Sequence, residues 1–126
     1  LEYYTGMADF SAIIVAAGKG ERLKEKVPKV YIKLGGKCIL LYSVEVFEEL
    51  EEIKEIIIVT LKEWLPYCKN LVKPFINRKR IAIIEGGEER QDSVRRGLER
   101  ALGDFVLIHD GARPFITKEF VLQLMG

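Results

Sequence analysis

Three stretches of this chain gather glycines and charged side chains in patterns that suit chemistry on phosphates. The first is Ala16-Ala17-Gly18-Lys19-Gly20-Glu21-Arg22, continuing to Pro28-Lys29. Two glycines let the backbone turn sharply and approach a ligand closely. Lys19, Arg22 and Lys29 add fixed positive charge, and backbone N–H groups in such a loop also favour anions. The spacing matches neither GxxxxGK[ST] nor GxGxxG, because Leu23 stands where a third glycine would fall. On spacing alone, an ordinary turn with solvated lysines explains the stretch at least as well as a nucleotide site.

The second stretch is Glu85-Gly86-Gly87-Glu88-Glu89-Arg90-Gln91-Asp92-Ser93. Glu88 and Ser93 offer polar groups that could read a base or a ribose. A plain loop and helix start, with acids complementing the helix dipole, accounts for Glu88, Glu89 and Asp92 equally well. It does not require two consecutive glycines. The third stretch is His109-Asp110-Gly111-Ala112-Arg113-Pro114-Phe115. A carboxylate at Asp110, just past a buried strand, can hold Mg²⁺ or another divalent cation together with phosphate oxygens. The competing reading makes Asp110 a turn residue and Arg113 its surface partner. His109 is the only histidine. HD-type phosphohydrolases need more, and no GxSxG elbow accompanies it for a serine triad, so a structural role suits it better.

Bulk composition narrows the field. The chain has 126 residues, 48% hydrophobic and 31% charged, which fits one folded domain with a real core. A net charge of +1 argues against a general nucleic-acid surface, so phosphate binding should be local. Cys38 and Cys68 form no CxxC pair, which argues against a zinc site and suits a reducing cytoplasm. No apolar run is long enough to span a membrane. Leu1 to Gly6 precede Met7, the expected natural start, and read as residues added in cloning.

Periodicity supplies the elements that must position these residues. Ser11–Val15 is apolar without alternation, as in a strand covered on both faces. Val30–Leu34 reads as short extended structure and Gly35-Gly36 as a turn. Leu40–Leu50 carries Leu40, Val44, Phe47 and Leu50 at helical spacing, and the acidic run Glu51–Glu55 should end that helix in solvent. Ile56–Thr60 is a second strand. Lys62–Ile76 is a helix with an end broken at Pro74, and Ile81–Ile84 a third strand. Glu89–Leu102 is a helix with Val94, Leu98 and Ala101 on one face. Phe105–Ile108 is a fourth strand, and Thr117 should cap a last helix reaching Met125. The alternation predicts an α/β fold, a parallel sheet with helices on both faces. Its strand C-termini share one edge, where ligands bind at a reversal of strand order. Placing the first strand between the second and fourth sets the first loop and Asp110 on either side of that crevice.

In that order, the motifs Ala-Ala-Gly-x-Gly-x-Arg, Pro-Lys, Gly-Gly-x-x-Arg-x-x-Ser-Val and His-Asp-x-Ala-Arg-Pro-Phe resemble the 2-C-methyl-D-erythritol 4-phosphate cytidylyltransferase family. The resemblance runs from about Ala12 to the C-terminus. It implies a Rossmann-like fold of the nucleotide-diphospho-sugar transferase kind. It implies transfer of a cytidylyl group from CTP to a sugar-alcohol phosphate, with release of pyrophosphate, on the non-mevalonate route to isoprenoid precursors. It implies that Arg22 and Lys29 stabilise charge at the α-phosphate and that Asp110 holds Mg²⁺. Arg113 would place the sugar phosphate or ribose. Ala16, Ala17, Gly18, Gly20, Gly86, Glu88 and Ser93 would line the nucleotide pocket, and Lys19 reverts to a solvated lysine. The attacking group is then an ionised substrate phosphate, so no nucleophilic side chain is needed.

The neighbouring ribitol-5-phosphate cytidylyltransferases more often have Ala-Gly-Gly in the first loop and Asp-Ala-Val-Arg in the last. Ala16-Ala17-Gly18 and Gly111-Ala112-Arg113 favour the erythritol enzymes. Two departures stand out. Val30 replaces the glutamine usual after Pro-Lys, and residues 7–126 match only the N-terminal, nucleotide-binding part of the family's domain. The family's later part carries a dimerisation arm and acceptor-binding residues. The expectation is therefore a homodimer for the full-length protein, and for these 126 residues alone weak activity or simple nucleotide binding.

Overall fold

The computed structural model describes residues 9–17, 27–76, 78–114 and 116–126. Its centre is a four-stranded parallel sheet of β1 (Phe10–Ala16), β4 (Ile53–Thr60), β5 (Arg80–Glu85) and β6 (Phe105–Asp110), in the order β5-β4-β1-β6. Between β1 and β4 run a 3-10 turn (Lys29–Tyr31), a small hairpin of β2 (Lys33–Leu34) and β3 (Lys37–Cys38), and helix α1 (Ile39–Glu49). Helices α2 (Leu65–Val72), α3 (Arg90–Arg100) and α4 (Lys118–Met125) complete the fold. β1 lies between β4 and β6, as expected from the sequence.

The two central strands are apolar on both faces because both faces are covered. Ala12, Ile14, Ile56 and Ile58 pack with Leu40, Val44 and Phe47 of α1, Cys68 and Val72 of α2, and Val121 of α4. Ile13, Val15, Ala17, Ile57 and Val59 face the other way, toward Val94 and Ala101. Each buried isoleucine contributes about 1.5–3 kcal/mol, so the sheet centre is a rigid base for the loops at its carboxyl edge.

Four expectations need correction. Val30 belongs to the 3-10 turn and is buried; only Lys33–Leu34 is extended, paired antiparallel with Lys37–Cys38 across Gly35-Gly36. Both glycines have positive φ (67° and 83°), as a two-residue hairpin turn of this hand requires. Second, β4 begins at Ile53, and Glu55 is buried at 4% exposure instead of ending a helix in solvent. Its Oε2 accepts from Ser11 Oγ and from Leu102 N, both at 2.5 Å, while Ser11 Oγ accepts from Gly103 N at 2.9 Å. Third, Leu98 is 45% exposed; the buried face of α3 is Ser93 and Gly97, and a Cβ on Gly97 would stand 2.8 Å from Ile13 Cγ2. Small residues were chosen there because α3 lies close on β1. Fourth, Asp110 is the last residue of β6, and β6 is a partly exposed edge among the described strands. The Thr117 cap forms as expected, its Oγ1 accepting from Phe120 N at 3.1 Å.

Candidate functional site

The site begins where β1 and β6 end together. Val15 and Asp110 are register partners, and Gly111 N donates to Val15 O at 2.9 Å. A Cβ on Gly111 would lie 2.9 Å from Ile14 Cγ2 and 3.2 Å from Val15 O, so only glycine lets the chain turn this close to β1. Asp110 then shapes the following turn. Its Oδ1 accepts from Ala112 N at 3.0 Å, and its main-chain oxygen accepts from Arg113 N at 3.1 Å. Arg113 Nε stands 3.9 Å from Asp110 Oδ2, and the arginine side chain is 80% exposed. Such an exposed pair contributes little to stability. It leaves the guanidinium available to an anion.

Lys29 is exposed and opens the 3-10 turn on the opposite wall. Between the walls lies a cleft of about 860 Å³ lined by Lys29, His109, Asp110, Arg113, Pro114 and Phe120, among others. Three residues singled out from sequence, Lys29, Asp110 and Arg113, therefore meet in one cavity. It opens at the carboxyl end of β6, the strand that lies next to β1 where the strand order reverses.

His109 anchors this corner. Its Nε2 is 2.8 Å from Ser43 Oγ on α1 and 3.3 Å from Arg113 O, and its ring meets Phe47 edge-on at 5.7 Å. Burial holds the imidazole below its ordinary pKa of 6.5, against smaller opposing effects from the Arg113 carbonyl and the Asp110 charge. A neutral ring tied to α1 and to the turn fits the structural role expected for it.

The second stretch forms a separate wall. Gly86 N donates to Thr60 O at 2.7 Å, which brings the chain after β5 over the end of β4 and against β1. A Cβ on Gly86 would fall 2.4 Å from Ala17 Cβ and 2.6 Å from Ser93 Oγ. Ser93 is 1% exposed, and its Oγ accepts from Gly87 N at 3.2 Å, so this hydroxyl braces the loop. Arg96 Nη1 donates to Glu85 O and Gly86 O. Glu88 is exposed at the loop surface. Gly86, Glu88 and Ser93 do not line the Lys29–Asp110 cleft. The side chains of Ala16 and Ala17 are buried on opposite faces of the sheet.

Gly18, Lys19, Gly20 and Arg22 lie outside the described residues, as do Leu1 to Gly6. Sequence reasoning passed over Tyr31, Thr60 and Arg96, which hold the Lys29 turn and the Gly86 loop. Thr60 carried a signal, being a polar residue that closes the apolar run Ile56–Val59. Among the described residues no three His, Cys, Asp or Glu side chains converge as a protein-built metal cage. A single half-exposed carboxylate at Asp110 does fit Mg²⁺, which takes one or two carboxylates and completes its shell with phosphate oxygens and water. No helix among the described residues is long and apolar enough to cross a membrane.

Sheet order and loop placement define an open α/β protein with a cleft beside its strand-order reversal. Solved structures share this architecture. A 4-diphosphocytidyl-2C-methyl-D-erythritol synthase from Anaerococcus prevotii matches with a TM-score of 0.73 and 31% identity, over 98% of this chain and 51% of its own. The bifunctional IspDF of Campylobacter jejuni matches with a TM-score of 0.77 and 28% identity, over 94% of this chain and 30% of its own. A 2-C-methyl-D-erythritol 4-phosphate cytidylyltransferase from Caldanaerobacter subterraneus is 47% identical over 116 residues, 90% of this chain and 51% of the relative. The chain belongs to the IspD family, 2-C-methyl-D-erythritol 4-phosphate cytidylyltransferase, whose model matches residues 10–126. It spans about half the length of the curated relatives it matches.

Proposed function

We propose that the protein of which these residues are part transfers a cytidylyl group from CTP to 2-C-methyl-D-erythritol 4-phosphate and releases pyrophosphate. The observation that carries this reading is the meeting of Lys29, Asp110 and Arg113 in one cleft at the strand-order reversal, in a chain of this family. A phosphate oxygen of the acceptor attacks the α-phosphorus of CTP, the bond to the β-phosphate oxygen breaks, and pyrophosphate leaves. The acceptor phosphate is already ionised, so the protein's work is to align the two substrates and to offset charge building on the α-phosphate. Lys29, together with Arg22, supplies that offset. Arg113 holds the acceptor phosphate or a ribose hydroxyl. The main chain of Ala16 to Gly20 and the Gly86-Gly87 loop with Glu88 and Ser93 hold the nucleotide. Asp110 would hold a divalent cation, which when bound draws charge from the triphosphate oxygens.

The unpaired, buried Cys38 and Cys68 support a cytoplasmic setting. Apolar side chains exposed on the β6 edge and on α4, among them Phe105, Ile108, Phe120 and Leu124, support assembly of the full-length protein as a homodimer. For the 126 residues alone, half the length of the relatives favours nucleotide binding without turnover. Pyrophosphate release from CTP by the protein in its complete reading frame tests the main reading. Release should require methylerythritol phosphate. Equal or faster release with ribitol 5-phosphate would transfer the assignment to the ribitol enzymes, and release with neither acceptor would end it.

A further inference from the structure

We propose that Tyr31 and Thr60 are a positioning pair, which fixes Lys29 relative to the nucleotide loop at Gly86. The proposal rests on the transferase reading above. Tyr31 closes the 3-10 turn that Lys29 opens. The residue is held on every side. Its N–H donates to Pro28 O at 2.9 Å, its carbonyl accepts from the Cys38 thiol at 3.3 Å, and its ring stacks on Trp64 at 5.0 Å and meets Tyr67 edge-on at 5.2 Å. Its hydroxyl, buried, shares a hydrogen bond with Thr60 Oγ1.

Thr60 is the last residue of β4 and is fully buried. Its side chain reaches Tyr31, its carbonyl accepts from Gly86 N at 2.7 Å, and its register partners are Ala16 on β1 and Glu85 on β5. One residue thus joins the turn bearing Lys29, the end of the strand leading into the first loop, and the loop after β5. A phenylalanine would fill the aromatic box equally well, so packing alone does not require the phenol. Burial pushes the Tyr31 phenol far above its ordinary pKa, which keeps the hydroxyl bond in place across the working pH range. A cation that acts on a transferring phosphoryl group must be placed to within a fraction of an ångström, and a misplacement near 1 Å costs on the order of 10² in rate. Lys29 stands on a single turn, and the Tyr31–Thr60 bond connects that turn to the sheet.

The test is steady-state pyrophosphate release by the protein in its complete reading frame, with CTP and methylerythritol phosphate. Tyr31→Phe, Thr60→Val and Thr60→Ser are compared in the wild-type and Lys29→Met backgrounds, with thermal unfolding as the check on folding. Tyr31→Phe and Thr60→Val should each lower kcat about tenfold while the KM for CTP moves less than about twofold, and the double variant should be no worse than either. Thr60→Ser keeps the hydroxyl and should retain at least about half of the rate. In the Lys29→Met background Tyr31→Phe should change kcat by less than about twofold, because the group it positions is gone. Folded Tyr31→Phe protein with wild-type kcat would overturn the proposal, as would an equal loss in both backgrounds, which marks a merely structural role. Wild-type protein that releases no pyrophosphate overturns the transferase reading, and the positioning role falls with it.

Discussion

Gly86 lies against Ala17 so closely that a β-carbon on residue 86 would fall 2.4 Å from the Ala17 Cβ. That contact brings the loop after β5 to the end of β1, with β4 between them in the sheet. None of the three neighbours of that β-carbon gives way easily: Ala17 Cβ is fixed to the backbone, Ser93 Oγ is held by Gly87 N, and Val59 Cγ1, 3.2 Å away, belongs to a buried residue of β4. Gly86→Ala should therefore force the loop outward, at a cost of about 1–3 kcal/mol. Urea unfolding should show that loss. Calorimetric titration with CTP and Mg²⁺ should show at least about tenfold weaker binding. Unchanged affinity would separate this loop from the nucleotide.

Glu55 gives a second outcome, in stability alone. Its carboxylate accepts from both Ser11 Oγ and Leu102 N, and it joins β4 and β1 to the connection between α3 and β6. Glu55→Ala leaves those donors without their acceptor and should lower unfolding free energy by about 2–4 kcal/mol. Glu55→Gln retains an oxygen and should cost less. Denaturation midpoints at equal m-value are the measurement, and an Ala variant as stable as Gln would contradict the account.

His109 should make the fold acid-sensitive in a defined direction. Its folded pKa lies below the ordinary 6.5, chiefly through burial, so between those two values the unfolded chain binds more protons than the folded one. Stability from the neutral ring is thus complete above about pH 6.5 and is lost as pH falls through the folded pKa. Because the chain has one histidine, a single set of imidazole NMR signals reports the titration directly. The midpoint is expected below 6.5, and His109→Gln should flatten the stability profile in that window.

Both cysteines should be unreactive in the folded protein. Cys38 and Cys68 are buried, and burial pushes the Cys68 thiol up to about 11. Since the thiolate is the nucleophile, alkylation at pH 8 should be slow in buffer and fast in denaturant. Rapid native labelling of Cys68 would show that the packing of α2 on the sheet opens readily.

The fold was readable because its signals are local. The apolar runs of β1 and β4, and the 40/44/47 spacing of α1, each state a period that the sheet then satisfies. The errors came where tertiary packing overrode pattern. Glu55 looked like a solvent charge among Glu51 and Glu52, and only the pairing Ser11↔Glu55 makes it a buried acceptor. Leu98 looked like the core face of α3, yet the close approach at Gly97 turns the leucine outward. Within the cleft, Lys29, Asp110 and Arg113 stood out by residue type, but spacing alone left an ordinary turn and a surface pair equally open, and only the family motifs singled them out. The Tyr31–Thr60 bond was not legible, because it joins residues 29 positions apart and the polar Thr60 after an apolar run does not indicate its partner.

We propose that the cleft between Lys29 and Asp110 carries the transfer. The decisive experiment is acceptor-dependent pyrophosphate release by Lys29→Ala, set beside wild type at saturating CTP. Removing one preorganised positive group from a transfer site should lower kcat by about 10²–10³ while thermal unfolding stays unchanged. A folded Lys29→Ala protein that turns over at the wild-type rate would contradict the account.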